Sequence, residues 1–322
     1  VVALAETRYR AAEQDLSLRV AEAYFNLLAA ADARRSFEAQ RLAFERALEE
    51  ASRRFEVGVA PITDVQEAQA SRDLAAAQEL EAQQTLDAAR EALTEISGEP
   101  VLAWAPLRAD IRLDVPDQTR DEWVRRALDG NFELIIADAE VGLAQDDIAI
   151  ARGAHLPTLS LAAARSLRED DEADSGRQDS GSVALQLSLP LFSGGAVASQ
   201  VRQATATRAQ RESERLGAQR LVERTTRDAY QGVVTGRARV LAYQQAVRSS
   251  QTALQASESG LRVGTRRLLD VLNAQQQLSA AQRDYERSRY DYLLALLRLR
   301  AAAGQLDAGS LAEVDAMLAN GG

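Results

Sequence analysis

Two stretches of this chain repeat one another at a fixed distance, and that repeat limits the possible folds more than any other feature. Val57-Gly58, five residues, then Asp64-Val65 recurs as Val263-Gly264, five residues, Asp270-Val271; Gly58 and Gly264 lie 206 positions apart. Ala23-Tyr24 and Ala229-Tyr230 keep the same offset, as do Gly98 and Gly304. A register held from position 23 to position 98 indicates tandem duplication of one structural unit.

Each copy reads as a long helical hairpin. Residues 3–56 hold no Pro or Gly and are rich in Ala, Leu, Glu and Arg. A turn follows at 57–62 with Gly58 and Pro61, then a helix over 63–97 that stops at Gly98 and Pro100. At 1.5 Å per residue the first helix would run roughly 80 Å, more than a globular domain uses. Coiled-coil packing is the natural reading, and the seams support it. Phe37, Phe44 and Ala51 lie seven apart, with Leu48 and Phe55 interleaved. Ala68, Ala75, Ala82, Ala89 and Ile96 repeat by seven in the return helix, and Ala274, Ala281, Ser288, Ala295 and Ala302 repeat them at the 206-residue offset. A strict heptad implies left-handed packing, and small knobs let helices approach closely.

The region between the copies breaks this pattern. Pro100, Pro106 and Pro116 punctuate 98–131, with a short helix expected over 119–129 and another over 133–152. Two strand-like runs follow. Leu159, Leu161 and Ala163 alternate with Thr158, Ser160 and Ala162; Val183, Leu185, Leu187, Leu189 and Leu191 alternate with Ala184, Gln186, Ser188 and Pro190. About nine residues of period-two alternation is the length of a membrane-crossing β-strand. The acidic stretch 166–182 between them reads as a hydrated loop; its carboxylates lack the spacing of an EF-hand. The expected organisation is a first hairpin over 1–97 and a linker over 98–131. A second repeat covers 132–306, with strands at 156–165 and 182–192 and a hairpin over 198–303. A terminal segment occupies 307–322.

Composition excludes several functions. With no Cys and a single His, His155, thiol chemistry and a His-rich metal site are absent. A net charge of −10 argues against a nucleic-acid partner. No stretch approaches the ~18–20 apolar residues of a spanning helix, so any membrane crossing would be made by a β-barrel. No nucleophile–base set, phosphate loop or carboxylate pair is recognisable, so no enzymatic activity and no cofactor are expected. His155 beside Pro157 reads as a structural residue at a helix-to-strand junction. Tyr285 and Tyr292 continue a heptad with Leu278 and Leu299 and read as core.

The duplicated Val-Gly-x5-Asp-Val turns, His155-Leu156-Pro157-Thr158-Leu159 and Leu189-Pro190-Leu191-Phe192-Ser193-Gly194-Gly195 resemble the TolC family of outer-membrane efflux proteins. Gly260-Leu261-Arg262-Val263-Gly264-Thr265-Arg266 and Ala60-Pro61-Ile62-Thr63-Asp64-Val65 extend the resemblance over nearly the whole chain. It implies a mostly α fold: tandem antiparallel coiled-coil hairpins forming an α-barrel protomer, with a two-stranded transmembrane β-barrel segment, trimeric in the complete protein. Such a unit has a leading helix, two strands, a long helix and a return helix. The repeat is therefore expected to be missing its first leading helix and strand pair here. The implied role is a passive duct of a tripartite efflux pump or type I secretion system, in the bacterial outer membrane with a long periplasmic portion. The implied partners are a homotrimer, a periplasmic adaptor, an inner-membrane pump or ABC exporter, and outer-membrane lipid.

The same resemblance assigns residues. Thr63, Asp64, Leu261, Arg266 and Arg289 match positions of the periplasmic gate. Leu261 stands where relatives often have Tyr, which removes one hydrogen bond. Asp270 and Asn273 match a pore-entrance charge pair, with Asn273 in place of the second acid. Val57, Gly58, Val263 and Gly264 match adaptor-docking turns, and Val183, Leu185, Leu187, Leu189 and Leu191 a lipid-facing strand. The plain alternatives are that Asp64 and Arg266 are solvated coil charges and that the glycines merely let the chain reverse. A soluble periplasmic coiled-coil adaptor or scaffold is the alternative function; the Leu185-to-Leu191 alternation and the second hairpin argue against it.

Overall fold

In a computed structural model, residues 2–108, 111, 113–168 and 178–318 are described. The elements in order are α1 (Val2–Glu56), α2 (Ile62–Ser97), α3 (Arg120–Gly130), α4 (Phe132–Gly153), β1 (Thr158–Arg168), β2 (Gln178–Ser188), α5 (Ala196–Arg262), α6 (Leu268–Ala302) and α7 (Ala308–Asp315). They fall into two compact units, Val1–Ala5 with Glu133–Gln219, and Glu6–Phe132 with Arg220–Gly322. No described helix is long and apolar enough to cross a membrane.

The first unit holds most of α4, the strand pair and the start of α5. Leu4, Leu134, Ala144, Ile148 and Val197 are its buried apolar residues, and Arg211–Glu140 (3.3 Å) and Arg215–Asp138 link α5 to α4. β1 and β2 pair antiparallel with Leu159 opposite Leu187, Leu161 opposite Leu185 and Ala163 opposite Val183. Because side chains alternate across a strand, these six share one face. Thr158, Ser160, Gln186, Ser188 and Ser182 occupy the other. Leu159, Leu161, Val183, Leu185 and Leu187 are all strongly exposed.

Both strands sit differently from the expected 156–165 and 182–192. Pairing starts only after Pro157 and continues through Arg165, Ser166, Ser180 and Gly181, so the hairpin extends into the stretch expected to be loop. β2 ends at Ser188, two residues before Pro190, which has no N–H to donate to a ladder. Leu189 and Leu191 therefore lie beyond the strand in which they were expected. Residues 169–177, the rest of the expected loop, lie outside the described residues.

The second unit contains the helical hairpins. α2 begins at Ile62 and α6 at Leu268, again 206 apart. α3 is opened by a capping box in which Thr119 and Glu122 satisfy each other's backbone amides. The main core gathers Phe25, Leu28, Trp123, Val233, Val240, Tyr290, Tyr292, Leu293, Leu297, Leu299, Leu306 and Val314. A second cluster lies towards the turns. It joins Phe44 and Ala51 of α1, Ala68 and Ala75 of α2, and Leu268 and Leu272 of α6. Ala68 and its repeat partner Ala274 are both buried, Ala274 against Leu254 and Leu278.

Candidate functional site

The two inter-helix turns are built from the same backbone bonds. After α1, Val57 N–H donates to Arg53 O, Gly58 to Phe55 O, and Val59 and Ala60 to Arg54 O. After α5, Val263 donates to Ser259 O, Gly264 to Leu261 O, and Thr265 and Arg266 to Gly260 O, each residue displaced by 206. Gly58 (φ 75°) and Gly264 (φ 77°) take the left-handed conformation that ends a helix, which costs a residue with a Cβ about 1–2 kcal/mol. Val57 and Val263 project from the two turns and are 74% exposed each.

The turns differ where the return helices start. Asp64 and Asp270 are repeat partners, and the amide of each donates to the carbonyl three residues back, Pro61 (3.2 Å) and Arg267 (3.1 Å). Arg267 has an N–H, which donates to the Asp270 carboxylate at 3.0 Å, so Asp270 is occupied in capping its own helix. Pro61 has no N–H. Asp64 cannot make the equivalent bond, and among the described residues its carboxylate has no hydrogen-bond or ion-pair partner. The Arg266 guanidinium has none either. Thr63 and Asn273 are exposed.

Leu261 and Asp64 border one small crevice with Ala47, Ala51, Ala60 and Leu268. Leu261 is partly buried against the Phe44–Leu272 cluster, so it packs as an apolar side chain.

Arg289 does not belong with these turns. It lies 21 residues into α6 from Leu268, roughly 30 Å along the axis. It is 4% exposed, donates to Glu286 at 2.6 Å and to the Arg108 carbonyl, and lies over the Tyr285 ring. Its Nε has no partner. The segment after α2 covers it, a contact that no local pattern encodes. Sequence reasoning also missed Arg267, whose guanidinium reaches Glu67 of α2 at 3.4 Å; the only sequence signal was the Arg266-Arg267 pair beside the turn. Among the described residues no group of three or more His, Cys, Asp or Glu is placed to hold a metal.

Duplicated hairpins and an amphipathic strand pair form the fold of outer-membrane channel protomers. The solved structure of outer membrane protein VceC from Vibrio cholerae superposes with a TM-score of 0.77 at 22% identity, covering 95% of this chain and 74% of that one. The profile of the family described as "Outer membrane efflux protein" matches residues 2–99 and 123–305, and the chain belongs to this family. It is 34% identical to outer membrane protein TolC of Vibrio cholerae, over 98% of this chain and 73% of that protein. It is also 34% identical to outer membrane protein TolC of Escherichia coli, over 94% of this chain and 64% of that protein. To the alkaline protease secretion protein AprF of Pseudomonas aeruginosa it is 34% identical, over 99% of this chain and 67% of that one.

Proposed function

We propose that this chain is a protomer of an outer-membrane exit duct serving an efflux pump or a type I secretion system. The identity to the TolC and AprF proteins carries this reading, since it runs through nearly the whole chain. The duct is passive, and cargo is driven through it by an inner-membrane pump or ABC exporter coupled by a periplasmic adaptor. Three protomers close the channel. The face carrying Leu159, Leu161, Val183, Leu185 and Leu187 meets lipid, and the Gln186 and Ser188 face lines the lumen. Leu189 and Leu191 continue the apolar surface past the strand end. Val57, Gly58, Val263 and Gly264 form the notches where the adaptor seats.

The gate lies at the turns. In a ring of protomers the first turn of one neighbours the second turn of the next, and the unpartnered Asp64 and Arg266 pair across that boundary, with Thr63 beside them. Asp270 and Asn273 face the pore entrance, with the Asp270 charge partly spent on its helix cap. Each Asp64–Arg266 link contributes only ~0–1 kcal/mol and is screened by salt, so the gate stays openable by a partner. Arg289 is left out of it. Asp64→Arg or Arg266→Asp should raise the single-channel conductance of the full protein in planar bilayers, and the double reversal should partly restore closure. Parent-like conductance of both single variants at low and high salt would make the two residues ordinary surface charges.

A further inference from the structure

Arg267 and Glu67 join the second turn to the first within one protomer, and neither residue has a role in the gate described above. We infer that this pair is an internal tie that sets how easily the tip opens. The inference rests on the turns being the gate.

Both ends of the tie are held in place. The Arg267 backbone is fixed from two directions, its N–H donating to the Asp270 carboxylate and its carbonyl accepting from the Asp270 amide. Its guanidinium is thereby anchored at the start of α6 and reaches Glu67 Oε1 at 3.4 Å. Glu67 lies on α2, one residue before the fully buried Ala68. Its other carboxylate oxygen, Oε2, is buried with no hydrogen-bond partner. The carboxylate is thus partly withdrawn from water, and Arg267 is the cation that meets it. Beside the pair, Leu268 and Leu272 pack on Phe44, Ala51, Ala68 and Leu261. The two turns of one protomer are held by an apolar seam with one ion pair at its edge. The Leu261 side chain carries no polar atom, so it adds to the seam and not to the polar tie.

A second hairpin that moves outward relative to the first must stretch this pair. Losing the cation also leaves the Glu67 carboxylate, whose Oε2 is already buried without a partner, with no counter-charge. The Arg267 side chain is 67% exposed, so each tie is weak alone. Its effect accumulates because every protomer carries one.

The test is conductance of the full protein in planar bilayers, with Arg267→Glu, Arg267→Gln, Glu67→Gln and the reciprocal Arg267→Glu/Glu67→Arg. Asp64→Arg and Arg266→Asp are measured alongside. We expect Arg267→Glu to raise conductance about two- to five-fold at low salt, from several weak links lost together. Arg267→Gln should give a smaller rise, and Glu67→Gln less again, because it neutralises the enclosed carboxylate. The reciprocal pair should return most of the way to the parent. If Asp64→Arg and Arg266→Asp open the channel but no Arg267 or Glu67 variant does, the tie is overturned and the gate stands. If the Arg267 variants open it and the reciprocal pair stays as open as Arg267→Glu, the effect is surface charge and the tie is again overturned. If none of the variants conducts differently from the parent, the gate reading fails and takes the tie with it.

Discussion

The two ends of α6 are held very differently. Towards its C-terminus, Tyr290 is 2% exposed and donates to Asp32 Oδ2 at 2.5 Å; Tyr292 donates to the Asp114 carbonyl at 2.6 Å; and Leu293, Leu297 and Leu299 are completely buried. Midway, Arg283 lies 4.1 Å over the Phe37 ring and donates to Gln40. Towards its N-terminus the same helix packs Leu268 and Leu272 on Phe44, Ala51, Ala68 and Leu261, and Leu278 on Leu254, with an exposed ion pair beside them. Burial also pushes the Tyr290 hydroxyl far above the usual phenol range, with the Asp32 carboxylate adding to the effect, so it remains a protonated donor. A helix whose most completely buried side chains, with their hydrogen bonds, lie at one end can change position at the other without unfolding at the first. Regions that move are drawn from the least stable part of a structure.

The comparison is tested most severely at Tyr290. Tyr290→Ala should cost about 3–5 kcal/mol in denaturant unfolding of the detergent-solubilised protein, as for other large buried aromatics. A cost under ~1 kcal/mol would mean that the deep end is no better anchored than the tip. The repeat pair Gly98 and Gly304 gives the next effect. Both have positive φ, but a Cβ at Gly98 meets nothing within 4 Å, whereas one at Gly304 would lie 2.0 Å from the Gly130 carbonyl oxygen. Gly98→Ala should cost about 1–2 kcal/mol for the left-handed conformation alone. Gly304→Ala should cost at least about 1–3 kcal/mol more, as overpacking does. Equal midpoint shifts would show that the two hairpins end in equivalent surroundings. The charge reversals at Asp64, Arg266 and Arg267 come next; they should alter conductance while leaving the unfolding midpoint within about 0.5 kcal/mol. Leu261→Tyr should do least, lowering conductance by less than about two-fold by adding a polar contact beside Asp64 worth no more than an ordinary hydrogen bond. A rise in conductance would mean that the larger ring wedges the apolar seam apart.

Much of the fold was legible because its signals are local. Gly58 and Gly264 sit where a helix must stop, heptads of small residues mark the seams, and the 206-residue offset places one hairpin on the other. The difference between Asp64 and Asp270 was also open to inference, since Pro61 has no N–H for a carboxylate to cap while Arg267 has one. The strand ends were harder. Alternation alone runs on to Leu191, but the ladder needs paired amides, and these are exhausted before Pro190.

What the sequence determined by itself is the repeat, the helical hairpins and the two-faced strand pair, because each follows from the spacing of neighbouring residues. Only the tertiary structure decided which charges are free at the turns and which are taken. Arg289 matched a gate position by resemblance to the family, yet lies buried under the Arg108 carbonyl. Arg267 matched nothing, yet reaches across to Glu67. The physical reason is the same for both. A charged side chain takes its role from the nearest opposite charge or carbonyl in space, and here those partners lie 181 and 200 residues away along the chain.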